Sequence, residues 1–240
     1  MFASLLLALM PGQYVDNKDF PREKQEAALA ATAGIVHQAT NGEGTAVIVN
    51  YDQAKGVVYL LTAAHVVPPG EGGDWVNLEF FTPKKFPNVD LKAGGFVIAR
   101  MANEDIAVVR AAVPSGTKLG SLKICPKAKL PTPERWNVTV LTAGCEGDKR
   151  LPRLTTELVL GKEIPSKPNG AQVLCWETDH PPVQGRSGGP LIDKRGYVMG
   201  ICSGAEKQRG YYTYILKIHQ ALSGAGLGWL VEGELKTPAK

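Results

Sequence analysis

The stretch AAVPSGTKLGSLKICPKAKLPTPER, residues 111–135, decides the fold by what it separates. Its prolines at 114, 126, 131 and 133 each remove a ladder N–H, so no central strand survives there. It reads as a connector crossing the surface. Before it stand GIVHQAT, GTAVIVN, GVVYLLT, WVNLEFF, GGFVIAR and DIAVVR, six runs between residues 34 and 110. They are rich in β-branched and aromatic residues and are parted by Gly, Asn, Asp or Pro. After it stand WNVTVLTA, PRLTTELVL, AQVLCW, GPLID, GYVMGICS and YYTYIL. Six short strands on either side of a proline-rich crossing predict an all-β chain folded as a double six-stranded antiparallel β-barrel.

The expected boundaries follow. Residues 1–33 hold an apolar segment and a helix, 34–113 the first barrel, 114–135 the linker, 136–216 the second barrel, and 217–240 a helix and tail. DFPREKQEAALAATA, residues 19–33, has good helix formers and a charged first turn. The tail begins as an amphipathic helix from Ile215 to Leu222, expected to lie on the second barrel through Ile218, Leu222 and Trp229. No sequence repeat relates the two halves.

At 240 residues, 44% hydrophobic and 21% charged, the composition is that of an ordinary globular protein. The net charge of +4 comes without a basic run, which argues against a nucleic-acid partner. No apolar run reaches the roughly 18 residues that a spanning helix needs, so stable membrane insertion is not expected. The start MFASLLLALMPGQ has an apolar core of signal length, though no basic residues precede it. Export to a periplasmic or extracellular space is the expectation, with a cytoplasmic location left open. Cys125, Cys145, Cys175 and Cys202 form no CxxC pair and lack a histidine at ligand spacing, so no metal is expected. Two disulfides or four buried thiols both fit.

PPVQGRSGGPLID, residues 181–193, sets one serine among glycines. A serine hydroxyl needs a base to take its proton and backbone N–H groups aimed at the developing oxyanion. Flanking glycines allow the required backbone and clear the approach, with Gly185 and Ser187 as candidate donors. His37, His180 and His219 have ordinary surroundings. His65, after the apolar run YLLTAA, stands at a barrel edge. Asp105 opens the apolar run DIAVVR at the rim and is the candidate to orient the imidazole. Glu104, Asp74 and Asp90 are its rivals.

The segments LLTAAHVV, DIAVVR and GRSGGPLIDKRGYVMGICSG resemble the three signatures of the chymotrypsin/trypsin-like serine peptidases. They are closer to the HtrA-like bacterial branch, whose serine loop also lacks an acidic residue before the serine. The resemblance runs from about residue 34 to 214. It implies His65 as general base, Asp105 as its orienting group, Ser187 as nucleophile, and the amides of Gly185 and Ser187 as oxyanion hole. It also implies that Ile201, Cys202 and Ser203 pair with substrate backbone, and that Pro181 lies at the base of the primary pocket. A peptide or unfolded protein is the implied substrate, with no cofactor. The short tail leaves no room for the PDZ module common in that branch.

Two departures stand out. Arg186 occupies the position where trypsin-like zymogens carry an aspartate that pairs with a freed N-terminal amine. A permanent cation cannot make that pair. Pro181 and nearby Asp179 give no trap for a basic side chain, so a small or apolar residue is expected in the pocket. The alternative to an enzyme is a catalytically idle protease-fold module that binds peptides or proteins through the cleft.

Overall fold

The computed structural model describes residues 14–37, 42–69, 74–82, 88–130, 137–146, 151–165 and 173–232. The apolar start, parts of the linker and the end of the tail lie outside the described residues. The first six runs form β1 (Thr32–His37), β2 (Glu43–Asp52), β3 (Val57–Thr62), β4 (Trp75–Phe80), β5 (Leu91–Met101) and β6 (Ile106–Ala112). They close into a barrel in the order β1-β2-β3-β6-β5-β4. The second set forms β7 (Val138–Glu146), β8 (Leu151–Glu163), β9 (Cys175–Thr178), β10 (Pro190–Ile192), β11 (Val198–Glu206) and β12 (Arg209–Tyr214). These close as β7-β8-β9-β12-β11-β10. The two halves share one topology, although their sequences share no repeat.

All barrel pairings are antiparallel. A closed sheet must bend, and register shifts at Ile48/Asn50, Val97/Ala99, Val159/Gly161, Leu191/Ile192 and Cys202/Gly204 mark where it does. Ile35, Leu60, Leu78, Phe80 and Ile106 are fully buried in the first half, and Leu141, Ile201 and Tyr212 in the second. Each such side chain contributes about 1.5–3 kcal/mol relative to exposure.

The connector does more than cross the surface. Leu122 N–H donates to Ile48 C=O at 2.9 Å in the first barrel, and Cys125 N–H to Val198 C=O at 2.9 Å in the second. Leu122, Ile124 and Cys125 are buried. No proline stands between 115 and 125, so that segment keeps its donors and stitches the barrels together.

The first helix, α1 (Arg22–Ala30), lies within the stretch expected to hold it. Thr32 and Ala33 belong to β1, where they pair with Val47 and Ala46. Thr32 Oγ donates to Ala28 C=O at 2.8 Å, tying off the helix as the backbone turns into the strand. The tail forms α2 (Ile215–Gly224) and α3 (Trp229–Glu232). Ile218 and Leu222 are buried as expected. Trp229 instead meets Tyr59 of β3 edge-on at 4.9 Å, so the tail also reaches the first barrel. No helix among the described residues is long and apolar enough to cross a membrane.

Candidate active site

Beyond β3 the chain makes one 3-10 turn, Ala64–Val66, which carries His65. Ala63 and Ala64 are buried, and their small size lets the turn sit against the barrel end. The His65 side chain remains 43% exposed. Asp105 lies in the turn before β6, its N–H donating to Ala102 C=O at 3.2 Å and its φ at +54°. The left-handed region is open to aspartate more readily than to most residues. His65 Nδ1 lies 3.0 Å from each Asp105 carboxylate oxygen, and the His65 backbone N–H donates to Oδ1 at 3.0 Å. Two grips on one residue orient the ring. With Nδ1–H donating to the carboxylate, Nε2 is left as an acceptor.

Two of the three rivals are engaged elsewhere. Asp74 accepts from Arg100 Nη1 at 2.5 Å, and Asp90 from Thr82 Oγ at 2.5 Å. His180 meets its neighbour Asp179 at 2.9 Å on the surface, and that carboxylate raises its pKa. His219 Nε2 donates to Cys125 C=O at 2.8 Å.

Ser187 follows a tight turn over residues 183–186, closed by Arg186 N–H donating to Val183 C=O at 3.2 Å. Gly185, its third residue, has φ +92°, the mark of a type II turn that favours glycine. Gly188, at φ +84°, admits no side chain. A Cβ there would lie 2.2 Å from both Thr45 C=O and Thr62 Oγ. The serine is thereby pressed onto the first barrel, its C=O accepting Thr45 N–H at 2.8 Å. A Cβ on Gly44 would lie 2.8 Å from both Ser187 O and Val66 Cγ1, so the serine and the His65 turn flank one glycine. No hydrogen bond joins Ser187 Oγ to His65. Among the described residues, the N–H groups of Gly185 and Ser187 have no acceptor.

Two of the three residues expected to pair with substrate backbone, Ile201 and Cys202, are occupied within the second barrel. Ile201 is paired on one side with Pro190 and on the other with Thr213. Cys202 accepts from Gly188 N–H and donates to Gly189 C=O, both at 2.8 Å, and pairs with Tyr212. With strands or loop on both edges, neither can take an added strand. Ser203 sits at the bulge, and its hydroxyl donates to Asp105 Oδ2. Pro181 is exposed. Thr45 carried no signal in the sequence. Its Oγ accepts Cys145 N–H at 2.8 Å and donates to Gly185 C=O at 2.7 Å. All four cysteines are buried and none is in a disulfide. Among the described residues no cluster of His, Cys, Asp or Glu could hold a metal ion.

Comparison with known proteins bears on this arrangement. Solved structures that share the fold include an inactive form of the Rv3671c protease, with a TM-score of 0.66 and 20% identity over 90% of this chain and all of that one. An inactive serine-to-alanine mutant of Rv3671c from M. tuberculosis matches with a TM-score of 0.63 and 19% identity, over 97% of this chain and all of that one. Deg5 matches with a TM-score of 0.65 and 17% identity, over 87% of this chain and 92% of that one. No curated protein matches the sequence significantly. Residues 44–201, from the glycine beside the His65 turn to the middle of β11, match the trypsin-like peptidase domain, and the chain belongs to that family.

Proposed function

We propose that the protein is a serine endopeptidase that hydrolyses peptide bonds through an acyl-enzyme. Ser187 Oγ attacks the carbonyl carbon while His65 Nε2 takes the hydroxyl proton. Asp105 holds the imidazole and stabilises its charged form. The N–H groups of Gly185 and Ser187 receive the oxyanion. His65 then gives its proton to the leaving amine, and water repeats the sequence to free the acid and restore Ser187. No metal or organic cofactor enters these steps.

The observation that carries this reading is the doubly anchored His65–Asp105 pair, which leaves Nε2 available on a partly exposed ring. One feature favours the idle binding module instead: Ser187 makes no hydrogen bond to His65. Catalytic hydrogen bonds are often long before substrate arrives, so this spacing does not remove Ser187 from the reaction.

A fluorophosphonate probe decides between them. The peptidase reading expects labelling at Ser187, lost in Ser187→Ala with little change in thermal stability, together with cleavage of denatured casein. A folded protein that neither labels nor cleaves belongs to the binding-module reading.

A further inference from the structure

Arg186 stands between the two residues whose amides are assigned to the oxyanion, yet its side chain runs into the second barrel. Only 4% of it is exposed. Nη1 donates to Thr142 Oγ at 2.5 Å, and Nη2 donates to Thr155 Oγ at 3.0 Å and to Glu146 Oε1. Glu157 Oε1 lies 3.6 Å from Nη1. All four partners come from β7 and β8, the hairpin behind the serine loop.

The two carboxylates differ. Glu157 is 1% exposed, accepts from Thr142 Oγ at 3.1 Å and Tyr212 OH at 3.0 Å, and has its pKa raised by burial. Glu146, at 14% exposed, is the better charge partner for the guanidinium. A buried cation needs such a partner, and one planar fork reaches Thr142, Thr155 and Glu146 together, which an ammonium cannot. Room for it is made at Gly144, where a Cβ would lie 2.7 Å from Arg186 Cγ.

Stability alone does not account for the arrangement. Arg186 Nε is buried without a hydrogen-bond partner. Apolar side chains of the same volume would avoid that cost. What the ion pair supplies is position: it grips the residue between the two amides from inside one barrel, while Thr45 grips Gly185 and Ser187 from the other.

We propose that Arg186 is a positioning residue, whose clamp by Glu146, Thr142 and Thr155 holds the turn over residues 183–187 so that the Gly185 and Ser187 amides stay aimed at the substrate oxygen. The clamp is built wholly within the second barrel, so the loop is ordered without cleavage elsewhere in the chain. It rests on the peptidase reading and adds to it how the hole is kept in shape.

The test uses the full chain and a fluorophosphonate probe, with the maximal labelling rate separated from the probe's binding constant. Arg186→Met is expected to lower the maximal rate about 100-fold, the effect of losing a hole donor, while the binding constant moves less than about threefold. Glu146→Gln and Thr155→Val, which keep the arginine, are each expected to lower the rate about tenfold. The NMR signal of the His65 Nδ1 proton is expected to be unchanged in all three. Wild-type labelling with equal rates in the folded variants overturns the clamp and leaves the peptidase intact. So does a loss of labelling that only tracks the unfolded fraction. If Arg186→Met does not fold, the other two variants decide: wild-type rates in both overturn the clamp. A folded wild type that never labels removes the peptidase reading, and the clamp with it.

Discussion

Ser203 of the second barrel donates its hydroxyl to Asp105 Oδ2 of the first, across 98 residues of sequence. Asp105 thus receives at least three donors, among them this hydroxyl, the His65 backbone N–H and the His65 ring. Ser203→Ala is expected to leave a buried carboxylate oxygen short of a partner, at about 1–3 kcal/mol of stability. The expected kinetic signature is a fall in kcat with KM nearly unchanged, measured by steady-state hydrolysis beside urea unfolding. A rise in KM alone would assign Ser203 to substrate binding instead.

Asp105→Asn keeps the shape of the side chain but presents an amide N–H to His65 Nδ1. The ring then takes the other tautomer, with its proton on Nε2, where it cannot accept from Ser187. The expected loss in kcat is about 10⁴-fold, with native circular dichroism.

Thr45 Oγ links two backbone groups of the second barrel, Cys145 N–H and Gly185 C=O. Thr45→Val conserves volume and orphans both, at about 1–3 kcal/mol for each group left buried and unsatisfied. Slower labelling of Ser187 is expected as well, because the turn before it loses one of its holds. Unfolding by guanidinium and the probe rate together check both effects.

His219 is buried on α2, and burial lowers its pKa from the ordinary 6.5. In this state the unfolded chain binds a proton at a higher pH than the native one. The stabilising contribution is therefore present above pH 6.5 and is lost as pH falls through the lowered native value. His219→Gln is expected to flatten that part of the stability–pH curve. Urea midpoints of the two proteins from pH 7.5 down to about 5 measure the difference. Parallel curves would contradict it.

The sequence allowed two disulfides, and the structure has four buried thiols instead. Burial pushes Cys125 up to about 11 and Cys202 up to about 12, so neither forms thiolate near neutrality. Native protein is expected to react negligibly with a thiol reagent at neutral pH. Four thiols should titrate after denaturation without reductant, and reductant should not shift Tm.

The strands were legible because their signals are local. β-Branched runs such as VVYLL and IAVV, broken by Gly, Asp or Pro, mark strands wherever the chain goes next. The end of helix α1 is not legible, because Ala and Thr at 31–33 are compatible with a helix and only pairing with Val47 and Ala46 draws residues 32 and 33 into β1. The residue types and order of His65, Asp105 and Ser187 could be read from their flanking motifs. Their supports could not: Thr45 reaches Gly185 over 140 positions, and Arg186 reaches Glu146 over 40.

Composition, periodicity and turn residues, all short-range, thus determined two six-stranded halves and marked a serine loop, a histidine turn and an aspartate at a strand's start. Tertiary structure alone decided that Ser203 serves Asp105, that Ile201 and Cys202 are closed to an added strand, and that Arg186 enters the barrel. Those outcomes depend on which strands become neighbours when each sheet closes, and on how closely the two barrels pack. Neither is written in any one stretch of chain.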